Sequence, residues 1–275
     1  MGFLFGLLAA LLFLAAVYLF LIAPNVLHRK VRCPELTAWY YAHRGLHDDQ
    51  TPENSLAAFR LAAEAGYGIE LDVHLTKDQK LVVHHDNSLK RMCGVDKRIS
   101  DTALEELRRY SLGGTGEAIP TLDETLELIE GKVPLIIELK SDRRGDTTLA
   151  RLLYARLRAY RGVYCVESFD PLVVRWFKKH APQVVRGQLA WNKRDSKGKY
   201  KSLERFVAGH LMLNFLSRPD FVAYGYKTDQ CFSFRVMRNL FRPMLAAWTV
   251  RSQEDLEQLR TRYDLQIFEA IRPRH

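Results

Sequence analysis

Across residues 39–275 the chain passes repeatedly from a short apolar run to a segment of helical spacing, and this alternation restricts the fold more than any other feature. Strand-like runs fall at residues 39–42, 69–75, 134–139, 163–166, 184–189, 221–224, 244–250 and 265–268, with 81–83 extending the second unit. Between them the spacing predicts helices over 55–65, 121–129, 149–160, 171–180, 203–216, 234–241 and 253–263. Local chemistry agrees. Thr121 stands three residues before Glu124, the arrangement of a capping box. Pro171 opens its helix, where a missing N–H does no harm. About eight strand–helix repeats suit an α/β fold, a closed (β/α)₈ or TIM barrel in one domain. An open doubly wound sheet fits the alternation too, but no GxGxxG follows the first strand, so dinucleotide binding lacks its usual mark.

The N-terminus is of another kind. Residues 2–23 carry no charge and are mostly Leu, Ala and Phe, and as a helix they are roughly 33 Å long, enough to cross a hydrocarbon core. The run is long for a cleaved leader, no Lys or Arg precedes it, and no polar stripe marks it as a core helix. The expected organisation is a transmembrane anchor at 1–24, a polar linker at 25–38 and the barrel at 39–275. His28, Arg29, Lys30 and Arg32 follow the span directly, which by the positive-inside rule places the barrel on the cytoplasmic side of a single-pass protein. Cys33, Cys93, Cys165 and Cys231 form no CxxC pair, which fits a reducing compartment. The formal net charge of +9 calls for an anionic partner. With no zinc finger or RNP motif, a lipid membrane or a phosphate suits it better than nucleic acid.

In a barrel the C-terminal ends of the strands share one face, and that face carries the chemistry. His43, Asp72, Glu138 and Trp248 all fall near such ends. Glu70 and Asp72 are two apart on a strand and so point to the same side. Glu138 lies inside the apolar run Leu135-Ile-Ile-Glu-Leu-Lys140, where a carboxylate is costly unless paired or metal-bound. Three such carboxylates would hold a hard divalent cation through oxygen, Mg²⁺ or Ca²⁺. Ion pairing with Lys140 is the alternative. His43 and His85 are the acid–base candidates, because imidazole gives and accepts protons near neutrality. His74 shares the parity of Glu70 and Asp72 and is a weaker candidate for the mouth. Residues 191–201 hold Lys193, Arg194, Lys197, Lys199 and Lys201 against Asp195 alone and precede the apolar 203–216 segment. This is either a solvated loop before a barrel helix or a patch resting on anionic lipid.

The set His43-Arg44-Gly45, Pro52-Glu53-Asn54-Ser55, Glu70-Leu-Asp72, Val82-Val83-His84-His85-Asp86, Ile119-Pro-Thr-Leu-Asp-Glu124, Ile137-Glu-Leu-Lys140, Ser168-Phe-Asp-Pro171 and Trp248-Thr-Val250 resembles the glycerophosphodiester phosphodiesterase family. The resemblance runs in order through nearly all of the chain after the anchor. It implies a TIM barrel with a small insertion after the second strand, here about residues 87–118. It also implies Glu70, Asp72 and Glu138 as metal ligands and His43 and His85 as the acid–base pair. Arg44, Asn54, Lys140 and Trp248 would stand near substrate. The implied reaction turns a glycerophosphodiester into glycerol 3-phosphate and an alcohol. A lysophospholipase D, or a non-catalytic binder of glycerophosphate head groups, are the alternatives. Two places depart from the family pattern: Arg251 stands where Asn is common after Trp-Thr-Val, and the last strand, which in the family carries a Thr-Asp pair before a proline, reads Ile267-Phe-Glu-Ala-Ile271. Both bear on the head-group pocket rather than on the five chemical residues.

Overall fold

The computed structural model describes residues 2–26, 33–143, 145–192 and 202–274. The basic residues His28, Arg29, Lys30 and Arg32 and the run 193–201 lie outside the described residues, so the expected lipid patch at 191–201 is described only at Trp191 and Asn192. Among the described residues nine strands form: β1 (Tyr40–His43), β2 (Gly68–Leu75), β3 (Leu81–Val83), β4 (Leu135–Leu139), β5 (Tyr164–Ser168), β6 (Arg186–Ala190), β7 (Phe221–Gly225), β8 (Met244–Val250) and β9 (Leu265–Phe268). All except β3 run parallel in the order β1-β9-β8-β7-β6-β5-β4-β2, and pairing of β1 with β2 closes them into a barrel of eight. Closure removes the open-sheet alternative. β3, expected to extend the second unit, instead folds back antiparallel on β2, Val73 opposite Val83, and stays outside the barrel. The turn residue Gln79, at φ 59°, permits that reversal.

Burial on both faces explains the nearly unbroken apolar runs of these strands. Tyr41, Ile136, Cys165, Leu189, Phe221, Ala246 and Ile267 fill the interior, while Ile69, Leu71, Leu135, Ile137, Val222 and Leu245 face the helices. The floor is sealed from within the segment expected to be a polar linker. The helix Pro34–Thr37 buries Leu36, whose carbonyl accepts the Tyr41 hydroxyl at 2.8 Å.

The helices start where their caps lie. Thr121 and Glu124 form the expected capping box, with Glu124 N–H donating to Thr121 Oγ1 at 3.2 Å and Thr121 N–H to Glu124 Oε2 at 2.8 Å. Asp170 Oδ1 accepts from Leu172 N–H at 2.8 Å ahead of Pro171–His180. The helix expected over 203–216 is two short ones, Leu203–Gly209 and Asn214–Ser217. The chain breaks at Gly209, and Leu211 adopts φ 59° while burying its side chain, so apolar spacing continues through a turn. The insertion after β3 has its own core of Val82, Leu89, Ile99, Leu107, Leu112 and Ile119.

The N-terminal helix Gly2–Ile22 stands mostly clear of the barrel. Its last turns dock, with Ile22 buried and its carbonyl accepting the Asn214 amide at 3.0 Å.

Thr121→Ala removes a capping box and is expected to cost about 1 kcal/mol, read as a lower denaturant midpoint with an unchanged slope.

Candidate active site

The strand register brings the chemistry together. Asp72 on β2 lies beside Glu138 on β4, and Glu138 beside Glu167 on β5. The even spacing of Glu70 and Asp72 turns both inward. Glu70, Asp72 and Glu138 offer carboxylate oxygens that all lie within 4.8 Å of one another, and all three residues are buried. At the end of β1 the chain turns sharply through Arg44 (φ 57°) and Gly45 (φ 82°). A Cβ at Gly45 would sit 2.8 Å from Ala58 Cβ, so only glycine lets this turn close on the helix Leu56–Glu64. The turn points Arg44 N–H at Glu70 Oε2, 3.0 Å away, and swings the Arg44 guanidinium to Glu53 at 2.9 Å and Asp72 at 3.5 Å.

Lys140 Nζ lies 2.9 Å from Asp72 and 2.7 Å from Glu138, so the ion pairing anticipated as an alternative is present. It does not balance the site. Four buried acids, Glu70, Asp72, Glu138 and Glu167, face Arg44 and Lys140, and Arg44 is shared with Glu53. That leaves a deficit of two charges in a low-dielectric mouth, and the carboxyls respond. Burial and the neighbouring Asp72 and Glu138 push Glu70 well above the usual carboxyl range. Burial pushes Glu138 up to about 7 against the pull of Lys140. Burial and Glu138 likewise raise Glu167, whose Oε2 is buried without a hydrogen-bond partner. Asp72 goes the other way: burial alone would raise it, but Lys140 and Arg44 outweigh that and hold it low. A set of close oxygen donors short of two positive charges fits a divalent cation.

Both candidate histidines face this cluster, each with Nδ1 on a carboxylate. His43 Nδ1 is 2.6 Å from Glu269 Oε2, with Nε2 at 4.0 Å from Glu70. His85 Nδ1 is 2.7 Å from Asp86 Oδ1, and Asp86 is in turn held by Arg91 Nε at 2.6 Å. Burial lowers His43, partly opposed by Glu269, and takes His85 down to about 4, where Lys140 and Arg44 add repulsion. Asn54 stands behind the cluster. It is buried, and its amide donates to Asp72 Oδ2 at 2.8 Å, so it orients that carboxylate rather than lining the cavity. His74 hydrogen-bonds the His85 carbonyl at 3.1 Å and, as its parity suggests, lines the neighbouring cleft, with Nδ1 3.7 Å from Asp142.

Trp248 closes one side with Phe169 and Trp191, ring centroids 5.6–6.5 Å apart. The innermost cavity, about 60 Å³ between His43, His85, Glu70, Glu138, Lys140 and Trp248, has room only for an ion and a few small groups. Beside it a cleft of about 430 Å³ shares Glu138, Lys140 and Phe169 and extends over Ser141, Asp142 and Asp170.

A family model, the glycerophosphoryl diester phosphodiesterase family, matches residues 43–262. The chain belongs to that family. Among its relatives, a glycerophosphodiester phosphodiesterase of Caldanaerobacter subterraneus subsp. tengcongensis is 39% identical over 158 residues, 54% of this chain and 65% of the relative. A human lysophospholipase D is 35% identical over 142 residues, 46% of this chain and 44% of the relative. The chain thus spans under two thirds of these relatives' lengths. Among solved structures, a glycerophosphodiester phosphodiesterase from Thermotoga maritima superposes with TM-score 0.63 at 29% identity, covering 83% of this chain and 93% of that one. An Oleispira antarctica phosphodiesterase in complex with sn-glycerol-3-phosphate gives TM-score 0.68 at 23% identity, over 84% of this chain and 92% of that one. The latter likeness is one of fold.

Glu269 is the residue that sequence reasoning missed. The two departures from the family pattern are one structural unit: Arg251 donates to Glu269 at 3.1 Å, and Glu269 seats His43. Burial would raise Glu269, but the His43 hydrogen bond and Arg251 hold it at about 2, so it is a fixed negative charge. The departures therefore bear on His43 as well. Because Glu269 raises the His43 pKa, Glu269→Gln is expected to shift the histidine limb of the kcat/KM profile to lower pH. It should also lower kcat about 10-fold or more through a misheld tautomer. Recovery in Glu269→Asp separates positioning from collapse of the fold.

Proposed function

We propose that this chain is a divalent-metal-dependent glycerophosphodiester phosphodiesterase that works at a membrane surface. Three convergent buried carboxylates flanked by two carboxylate-seated histidines carry the reading. Family membership and the named relatives support the substrate class. Glu70, Asp72 and Glu138 would hold the cation, Mg²⁺ or Ca²⁺, which when bound supplies positive charge to the phosphate oxygens. Arg44 and Lys140 add fixed positive charge at the same place. One histidine takes the proton of the glycerol 2-hydroxyl as its oxygen bonds to phosphorus. The bond from phosphorus to the leaving alcohol breaks, and the other histidine gives that oxygen its proton. Water then opens the cyclic phosphate with the two roles exchanged, giving glycerol 3-phosphate. Nδ1 of each histidine is committed to its carboxylate, so Nε2 is the nitrogen that exchanges protons.

A second reading, lysophospholipase D, is favoured by the aromatic wall of Phe169, Trp191 and Trp248 beside the cleft, and by the lysophospholipase D relative. The N-terminal helix serves as a single-pass membrane anchor in both, with the barrel on the cytoplasmic side. Specific hydrogen bonds from the domain to Ile22 and Ala23 argue for retention of that helix over its removal as a leader.

Glycerol 3-phosphate release from glycerophosphocholine is expected to stop in EDTA and return with Mg²⁺ or Ca²⁺. His43→Ala and His85→Ala should each lower turnover by about 10³-fold or more in folded protein. Near-normal rates in either variant refute the assignment. Lysophosphatidylcholine in detergent, run beside the soluble diester, separates the two readings.

A further inference from the structure

The docked end of the N-terminal helix has a direction. Asn25 N–H donates to the Pro219 carbonyl at 2.9 Å and its side chain to Asp220 at 2.8 Å, just before β7 begins, which is the rim of the barrel away from the site. Tyr18 Oη donates to Ser233 Oγ at 2.8 Å, and its ring stacks on Phe232 at 6.1 Å. Those two residues open the helix Phe232–Phe241 that follows β7, so they belong to the rim that carries the site. Tracing the chain from Asn25 back to Tyr18 therefore climbs from the far rim to the catalytic rim. The contact is held, not incidental: Ile22 is fully buried, and Arg218 donates to the Ala23 carbonyl at 2.8 Å with its guanidinium 4.6 Å from the Phe20 ring. Residues 2–17 continue beyond the catalytic rim as roughly 24 Å of apolar helix.

The catalytic rim on that side exposes large apolar side chains. Outside the N-terminal helix, the most exposed large apolar side chains among the described residues are Leu203 (77%) and Phe232 (70%). Phe169 and Trp191, both 42% exposed, join them. They follow β5, β6 and β7, the sector where the helix docks, and Phe169 also lines the innermost cavity. Aromatic residues with a polar tip, as Tyr18 has, settle at the level of lipid head groups. A span somewhat shorter than the hydrocarbon core draws its flanking residues into that layer.

We infer that the β5–β7 sector of the catalytic rim rests in the head-group layer of the bilayer entered by the N-terminal helix. The site then opens toward lipid rather than toward bulk water. The occupant of the apolar rim is the leaflet itself, because the span delivers it to that sector and to no other. The consequence for substrate is direct: a lysophospholipid reaches the cleft from the leaflet with its acyl chain still in the membrane. This inference rests on the helix being a retained membrane span.

The test uses the full chain in phosphatidylcholine–phosphatidylglycerol vesicles carrying a clickable alkyne lipid. p-Benzoylphenylalanine replaces either Leu203 on the catalytic rim or Val163, 39% exposed on the opposite rim before β5. Irradiation is expected to give at least about fivefold more lipid adduct at position 203 than at 163, as expected for contact with the head-group layer. Equal adducts, or more at 163, in protein that floats with the vesicles would overturn the orientation while leaving the anchor intact. Protein that fails to float would overturn the anchor reading instead. Neither outcome depends on catalytic activity.

Discussion

Buried negative charge is the constraint around which the rest of this molecule is arranged. Glu70, Asp72, Glu138 and Glu167 sit in a closed barrel mouth where two cationic side chains, Arg44 and Lys140, fall short of neutralising them. A carboxylate out of water is destabilising by several kcal/mol unless compensated. The fold compensates incompletely: Asp72 is held ionised, while Glu70 and Glu138 are pushed toward protonation. A divalent cation held at such a site would compete with protons, so its occupancy would rise with pH.

The histidines depend on the same architecture at one remove. His85 owes its orientation to a local relay through Asp86 and Arg91, all within one insertion edge. His43 owes its own to Glu269, 226 residues away in the chain. That contact exists only because β1 pairs with β9 as the barrel closes. Barrel closure thus positions His43 as well as stabilising the fold.

Much of this was legible in sequence, for identifiable reasons. Strand parity placed Glu70 and Asp72 on one side, and apolar runs gave β8 and β9 as Met244–Val250 and Leu265–Phe268. Pro171 marked a helix start that the structure reproduces as Pro171–His180. What escaped has physical causes. Apolar spacing cannot distinguish a helix from a helix interrupted by a buried turn, so Leu203–Gly209 and Asn214–Ser217 read as one. β3 carries the composition of a strand, but composition does not give its direction. The pairing of Glu269 with His43 carries no local signal, since closure alone brings the two together. Arg251 and Glu269 were visible as departures, and their pairing was not.

The central claim is that Glu70, Asp72 and Glu138 hold one divalent cation, and Mn²⁺ binding followed by electron paramagnetic resonance tests it most directly. One Mn²⁺ per chain is expected at pH 8, bound more weakly at pH 6, where Glu138, raised to about 7, holds its proton. In Asp72→Asn and Glu138→Gln the affinity should fall by about 100-fold or more, the loss expected when a buried ligand charge is removed. Binding that survives both substitutions unchanged would contradict the account.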